Sequence, residues 1–149
     1  MFVPHYFQFS EQTCGAACLR MLFAALGAAH DEAIIAQHCG LTPLGCTVQD
    51  LVTAAQALGF HAALLSVSGE PAARAALSSQ APFVAMIDLA SLGSPGPMFQ
   101  WHFVVTLALA QNEVLFHDPA DGPDRRVPLD DFLAAWATAG YRGVRAWTP

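Results

Sequence analysis

Residues 102–118 read HFVVTLALAQNEVLFHD. Two runs rich in β-branched and aromatic residues, 102–110 and 113–118, lie on either side of the polar pair Gln111-Asn112. Such runs favour β-strands, and a two-residue polar connection favours a hairpin. The stretch therefore predicts two antiparallel strands that pair through a tight turn.

The chain changes character on the two sides of this hairpin. Strands are predicted at 82–88 and 141–147, and helices at 14–26, 31–38, 48–58, 71–77 and 129–136. Helices first and antiparallel strands second predict an α+β fold, with N-terminal helices packed on a C-terminal sheet. The glycine- and proline-rich segment between Leu89 and Trp101 is predicted to be a mobile loop at the rim of a site. No internal repeat or linker is visible, so we expect one domain over residues 1–149.

Composition limits the class of protein. Of the 149 residues, 54% are hydrophobic and 12% are charged, so the chain is able to bury a substantial core. Its longest apolar run, around 103–110, is shorter than the ~20 residues that a membrane-spanning helix needs. The formal net charge of −6 argues against a nucleic-acid partner, because that binding depends on Lys and Arg at phosphates. The composition thus predicts a soluble globular protein.

The N-terminus and the cysteines indicate the compartment. No basic start followed by an apolar run marks a signal peptide, so the cytoplasm is expected. There Cys14, Cys18, Cys39 and Cys46 are expected to be thiols, with a Cys39–Cys46 disulfide as the alternative in an oxidising compartment. The spacing of these cysteines and His38 is unlike that of paired zinc ligands, so no metal or cofactor is predicted.

Cys14 has the sequence context of a reactive thiol. Polar residues 10–13 precede it, Gly15 follows it, and a long apolar helix is predicted to begin here. A helix N-terminus favours the thiolate, which is the nucleophilic form of cysteine. The alternative is that Cys14 is a small buried core residue, which is the commonest fate of a cysteine inside a cell.

A base and its orienting group are expected on the hairpin. His102 begins one strand and Asp118 ends the other, so pairing through the Gln111-Asn112 turn brings the two far ends together. An Asp in that place can accept the imidazole N–H and fix the tautomer that takes a proton from sulfur. Taken singly, His102 also fits a half-buried hydrogen-bonded histidine, and Asp118 a turn residue before Pro119. Trp101, Trp136 and Trp147 are expected to be packing residues; for Trp101, beside the candidate base, the alternative is that it lines a groove.

Acyl transfer also needs donors for the developing oxyanion. The side-chain amide of Gln8 and the backbone N–H of Cys14 are the candidates. Glutamines in N-terminal loops usually face solvent, and spacing alone leaves both alternatives open for Gln8.

Three blocks of the sequence resemble a known family in the same order. Residues 3–27, VPHYFQFSEQTCGAACLRMLFAALG, resemble the N-terminal motif of the bacteriocin-processing, double-glycine-leader cysteine peptidases, in which a Gln, five residues and Cys-Gly open a hydrophobic helix. The run from His102 to Val105 resembles the block led by the catalytic histidine. Asp118-Pro119 with Gly122 resembles the third block, and 127–136 the closing helix.

The resemblance implies a papain-like fold, a stand-alone member of the family and a role for each candidate residue. Cys14 would be the nucleophile, His102 the base, Asp118 the orienting group and Gln8 the oxyanion donor. The implied activity is that of a cysteine endopeptidase that cuts leader or precursor peptides after small residues such as Gly-Gly or Gly-Ala. A peptide or protein would be the substrate, and an exporter or precursor peptide the partner.

Two alternatives stand beside the peptidase. The same triad supports amide or acyl transfer instead of hydrolysis. A non-catalytic peptide-binding or regulatory module would keep the fold without turnover, although such modules typically lose the nucleophile, and this sequence retains Cys14.

Overall fold

The computed structural model of the protein describes residues 1–92 and 101–149. Its α-helices are α1 (Cys14–Ala25), α2 (Glu32–His38), α3 (Val48–Ala57), α4 (Glu70–Ser79) and α5 (Leu129–Thr138). Its strands are β1 (His61–Leu64), β2 (Phe83–Asp88), β3 (Trp101–Ala110), β4 (Glu113–Asp118), β5 (Gly122–Pro128) and β6 (Gly143–Trp147). Short 3-10 turns occupy Glu11–Thr13 and Leu89–Leu92.

The strands form one antiparallel sheet. Its order is β1-β6-β2-β3-β4-β5, so that β6, the last strand in the sequence, lies between β1 and β2. The remaining neighbours, from β2 to β5, are adjacent in sequence as well as in space. The predicted α+β fold with helices packed on an antiparallel sheet is confirmed.

The hairpin at the centre of the sequence forms as predicted. β3 pairs with β4 from Ala110↔Glu113 to Val105↔His117, with an irregularity between Thr106 and Ala108. Gln111 and Asn112 take φ values of 54° and 62°. Positive φ at both central residues matches the right-handed twist of the strands in a two-residue turn.

The sheet divides the core into two parts. On one side α1, α2 and α3 pack through residues such as Phe23, Leu51 and Val105. On the other side α4 and α5 pack through residues such as Phe83 and Trp136. Helices therefore cover both faces, and each part of the core has its own buried aromatic residues, because side chains along a strand alternate between faces.

Several local predictions can be compared with the structure. α3 starts where the sequence predicts a helix, and a capping box begins it: Asp50 N donates to Thr47 Oγ1 at 3.1 Å, and Thr47 N donates to Asp50 Oδ2 at 2.9 Å. Two strands, β1 and β5, were not predicted. In the segment predicted as a mobile loop between Leu89 and Trp101, residues 93–100 lie outside the described residues. Among the helices of the described ranges, none has the length and apolar character needed to cross a membrane.

Candidate active site

The first turn of α1 carries the candidate nucleophile. Cys14 is the first residue of the helix and follows directly on the 3-10 turn Glu11–Thr13. That turn is closed by Ser10 N donating to Thr13 Oγ1 at 3.0 Å and by Thr13 Oγ1 donating to Ser10 O at 3.0 Å. The helix dipole and the free N–H groups at this end favour a negative charge on the sulfur.

Gly15 allows α1 to approach the sheet closely. A Cβ at this position would lie 3.0 Å from Leu51 Cδ2 and 3.1 Å from Phe103 Cδ2, closer than a methyl group normally packs. Phe103 follows His102 on β3. The absence of a side chain at Gly15 therefore sets the first turn of α1 against the part of β3 that carries the histidine.

His102 and Asp118 form a buried pair. His102 is 5% exposed and Asp118 is 7% exposed, and His102 Nε2 lies 2.7 Å from Asp118 Oδ1. The same carboxylate oxygen accepts from Ala120 N at 2.8 Å, which holds it in the turn after β4. Cys14 lies close enough to the imidazole to raise its pKa, and Nδ1 is the ring nitrogen that is not bonded to Asp118. The structure thus brings together the three residues that the sequence predicts.

The environment favours the charged form of both members of the pair. Burial by itself lowers the pKa of His102, but the hydrogen bonds and charges of Asp118 and Cys14 outweigh it and raise that pKa to about 9. Burial by itself raises the pKa of Asp118, yet the His102 hydrogen bond and charge and the N–H groups of Ala120 and Asp121 lower it overall. An imidazolium held beside a thiol stabilises the thiolate.

Gln8 lies next to the end of β4. Its backbone N donates to Pro119 O at 2.9 Å, and His5 Nε2 lies 2.7 Å from Asp118 O. One N–H of the Gln8 amide donates to Ser10 O at 2.8 Å, so the side chain turns toward the turn that precedes Cys14. An amide nitrogen carries a second N–H, which is the donor that a substrate oxygen would need.

Cys14 opens into a groove with a volume of about 470 Å³. Its walls include residues 44–47 of the α2–α3 loop with the start of α3, the aromatic side chains of Trp101 and Phe103, and Arg142 after α5. Trp101 lines the groove, which was the alternative for this residue. The loop and Arg142 were not predicted, because no local pattern reveals which loops a fold brings to a cysteine.

The other cysteines have different surroundings. Burial, followed by the charges of Cys14, Asp118 and Glu32, raises the pKa of the fully buried Cys18 thiol. A side-chain hydrogen bond links Cys39 and Cys46, raising the pKa of Cys39 and lowering that of Cys46. All four cysteines are free thiols. Within residues 1–92 and 101–149, no group of three or more metal-ligating side chains comes together.

A cysteine at a helix N-terminus, next to a His–Asp pair on an antiparallel sheet, defines a papain-like architecture. The sequence model of the Peptidase C39 family matches residues 3–141. The chain therefore belongs to the Peptidase C39 family, a family of cysteine peptidases. The resemblance seen in the sequence motifs is confirmed.

Solved structures share the fold. The peptidase domain of Streptococcus ComA, a bifunctional ABC transporter of a quorum-sensing pathway, has a TM-score of 0.79 and 18% identity, over 99% of this chain and 100% of that chain. A double-glycine-motif protease of an AMS/PCAT transporter, in complex with its leader peptide, has a TM-score of 0.79 and 19% identity, over 99% and 93%. A C39-like peptidase from Bacillus anthracis has a TM-score of 0.77 and 17% identity, over 99% and 94%. No curated protein matches the sequence.

Proposed function

We propose that the protein is a cysteine endopeptidase with Cys14 as nucleophile, His102 as base and acid, and Asp118 as the group that orients His102. One observation carries the proposal. The imidazole of His102 is hydrogen-bonded to Asp118 at 2.7 Å through Nε2, and it is close enough to Cys14, which lines the groove, for that side chain to raise its pKa. A buried histidine with a structural role alone has no need of a thiol and a carboxylate on the same ring.

The arrangement supports a two-stage reaction. The Cys14 thiolate attacks a peptide carbonyl carbon, and the C–N bond breaks as the departing amine takes a proton from Nδ1 of His102. The product is a thioester on Cys14. Nδ1 then removes a proton from water, the hydroxide attacks the thioester, and the C–S bond breaks to restore thiolate and imidazolium. Asp118 keeps the ring oriented during both stages.

The oxyanion of each stage needs hydrogen-bond donors. We assign this role to the Gln8 side-chain amide and to the backbone N–H of Cys14. Support comes from the position of Gln8, whose backbone is bonded to Pro119 O and whose amide faces the turn leading to Cys14. Removing one such donor typically lowers kcat by about 10²- to 10³-fold.

The substrate proposed is a leader or precursor peptide cut after small residues. The α2–α3 loop forms one wall of the groove. Trp101 and Phe103 form another wall. The structural neighbour that holds a leader peptide supports this class of substrate. We also propose that an exporter is the partner of this protein and that the protein acts in the cytoplasm.

Cleavage of matched peptides tests this function. Precursor peptides carrying Gly-Gly, Gly-Ala, Leu-Leu or Phe-Phe before the cut are incubated with the wild-type protein and with Cys14→Ala, and products are identified by mass spectrometry. We expect cleavage after Gly-Gly and Gly-Ala only, and none by Cys14→Ala. Equal cleavage of the bulky peptides would contradict the substrate class, and undiminished cleavage by Cys14→Ala would contradict the mechanism.

A further inference from the structure

Glu32 is a charged residue in the protein interior. It is the first residue of α2, and it is 0% exposed. Oε2 accepts a hydrogen bond from Phe9 N at 2.9 Å, whereas Oε1 is buried and has no hydrogen-bond partner among the described residues. Carboxylates are rarely buried in this way, because the loss of hydration costs free energy unless hydrogen bonds compensate. The side chain therefore requires an explanation that a helix N-terminus alone does not supply.

The hydrogen bond from Phe9 does not hold a core residue in place. Phe9 is 75% exposed, so fixing its backbone buries little apolar surface. What the bond fixes is the path of the main chain between Gln8 and Ser10. If this hydrogen bond served only to stabilise the fold, we would expect it in a segment whose side chains enter the core.

Three successive backbone N–H groups of this segment have separate acceptors. Gln8 N donates to Pro119 O at 2.9 Å, Phe9 N to Glu32 Oε2 at 2.9 Å, and Ser10 N to Thr13 Oγ1 at 3.0 Å. The first bond reaches the turn beyond Asp118, and the third closes the turn before Cys14. Glu32 supplies the middle bond and connects the segment to α2.

We infer that Glu32 is a positioning residue that fixes the main chain at Phe9 and so keeps the Gln8 amide in place for the oxyanion. This inference rests on the role proposed above for Gln8. Glu32 touches neither the thiol nor the imidazole through a hydrogen bond, and it acts through the segment that it holds. Small displacements of a catalytic donor lower kcat strongly, because the oxyanion forms at a fixed place.

Substitutions of similar length separate this role from a structural one. Glu32→Met removes the acceptor, and Glu32→Gln keeps an oxygen that Phe9 N is able to bond; Glu32→Leu serves as a second apolar variant. With a cleaved Gly-Gly peptide, we expect Glu32→Met to lower kcat by about 10-fold with KM unchanged, and Glu32→Gln to stay within about twofold of wild type. Melting temperatures identify the variants that are folded, and the rate of Cys14 alkylation by iodoacetamide is expected to remain unchanged.

A double-mutant cycle with Gln8→Ala tests whether Glu32 acts through Gln8. Residues that act as a unit are non-additive, so Glu32→Met in the Gln8→Ala background is expected to change kcat by less than about twofold. Additive losses, or a folded Glu32→Met with wild-type kcat, would overturn the inference. If Gln8→Ala itself leaves kcat unchanged, the proposed oxyanion role fails, and the inference falls with it. If Gln8→Ala lowers kcat strongly and Glu32→Met leaves it unchanged, the inference about Glu32 fails while the proposed role of Gln8 stands.

Discussion

Two buried histidines lie on neighbouring strands, and only one of them has the partners of a base. His117 on β4 is 3% exposed, its Nε2 donates to Val3 O at 2.8 Å, and its Nδ1 accepts from Asp124 N at 3.1 Å. His102 on β3 is 5% exposed, but its ring contacts a carboxylate and a thiol. Burial is nearly equal, so burial does not distinguish them. The backbone bonds of His117 fix one tautomer and leave neither ring nitrogen for a substrate.

The largest expected effect on kcat comes from replacing His102, with a substitution of His117 as the matched control. His102→Ala is expected to lower kcat by about 10⁴-fold or more, because the thiol loses both its proton acceptor and the acid for the leaving amine. The matched variant His117→Gln is expected to retain kcat while losing about 1–3 kcal/mol of stability, since it leaves backbone groups without their partners. Single-turnover cleavage and urea unfolding measure the two quantities. Similar losses of kcat in both variants would show that the comparison is wrong.

The next effect concerns Asp118, the carboxylate that is hydrogen-bonded to His102. Asp118→Asn keeps the size of the side chain but removes its charge, so we expect kcat to fall by about 100-fold or more. The amide still accepts from Ala120 N, and the fold should remain. Circular dichroism checks the fold and steady-state kinetics measure the rate. Wild-type turnover in this variant would show that the negative charge of Asp118 is not needed for turnover.

The pH dependence of activity follows from the same pair. The pKa of His102 is about 9, so its imidazolium persists through neutral pH and is lost above that value. We expect kcat/KM to fall about tenfold per pH unit above pH 9. In Asp118→Asn this alkaline limb of the pH profile is expected to move to lower pH, because the carboxylate charge no longer raises the pKa of His102. Assays from pH 6 to pH 11 with Cys14→Ala as blank measure the limb. An unshifted limb in Asp118→Asn would assign it to another group.

Stability should depend on pH in the same range. The folded pKa of His102 lies above its ordinary value of 6.5. The folded protein therefore holds the His102 proton more tightly than the unfolded chain does. This contribution to the free energy of unfolding is complete below about pH 6.5 and is lost as the pH rises through about 9. The pKa of Asp118 lies below its ordinary value, so its contribution is complete above that value and is lost as pH falls through the folded pKa. Denaturant midpoints of wild type and His102→Ala are expected to converge at the alkaline end.

The smallest expected effect on kcat is that of replacing Cys18, the second cysteine of α1. Cys14 lines the groove, whereas Cys18 one turn later is fully buried, and burial raises the pKa of its thiol. Cys18→Ala should change kcat by less than about twofold and should leave the labelling stoichiometry with iodoacetamide unchanged. Tryptic mass spectrometry is expected to find the label on Cys14 in wild type, with slower labelling in His102→Ala. Preferential labelling of Cys18 would contradict this order of reactivity.

Local patterns predicted much of this arrangement. Apolar runs around Gln111-Asn112 gave the hairpin, and the helix that starts at Cys14 followed from its composition. In contrast, β5 is mostly exposed and carries charged residues, so it lacks the alternation that marks a strand. Glu32 reads as an ordinary acidic residue in the first turn of a helix. Its burial depends on contacts with the N-terminal segment, which spacing along the sequence does not reveal.

The position of β6 has a consequence for biosynthesis. Ribosomes deliver the chain from its N-terminus, so the thiol emerges first, the imidazole and carboxylate later, and the strand that joins β1 to β2 after all of them. Until residues 143–147 are free, the sheet is split and Arg142 is absent from the edge of the groove. A nascent chain of this protein thus carries a cysteine without its completed surroundings until residues 143–147 have emerged.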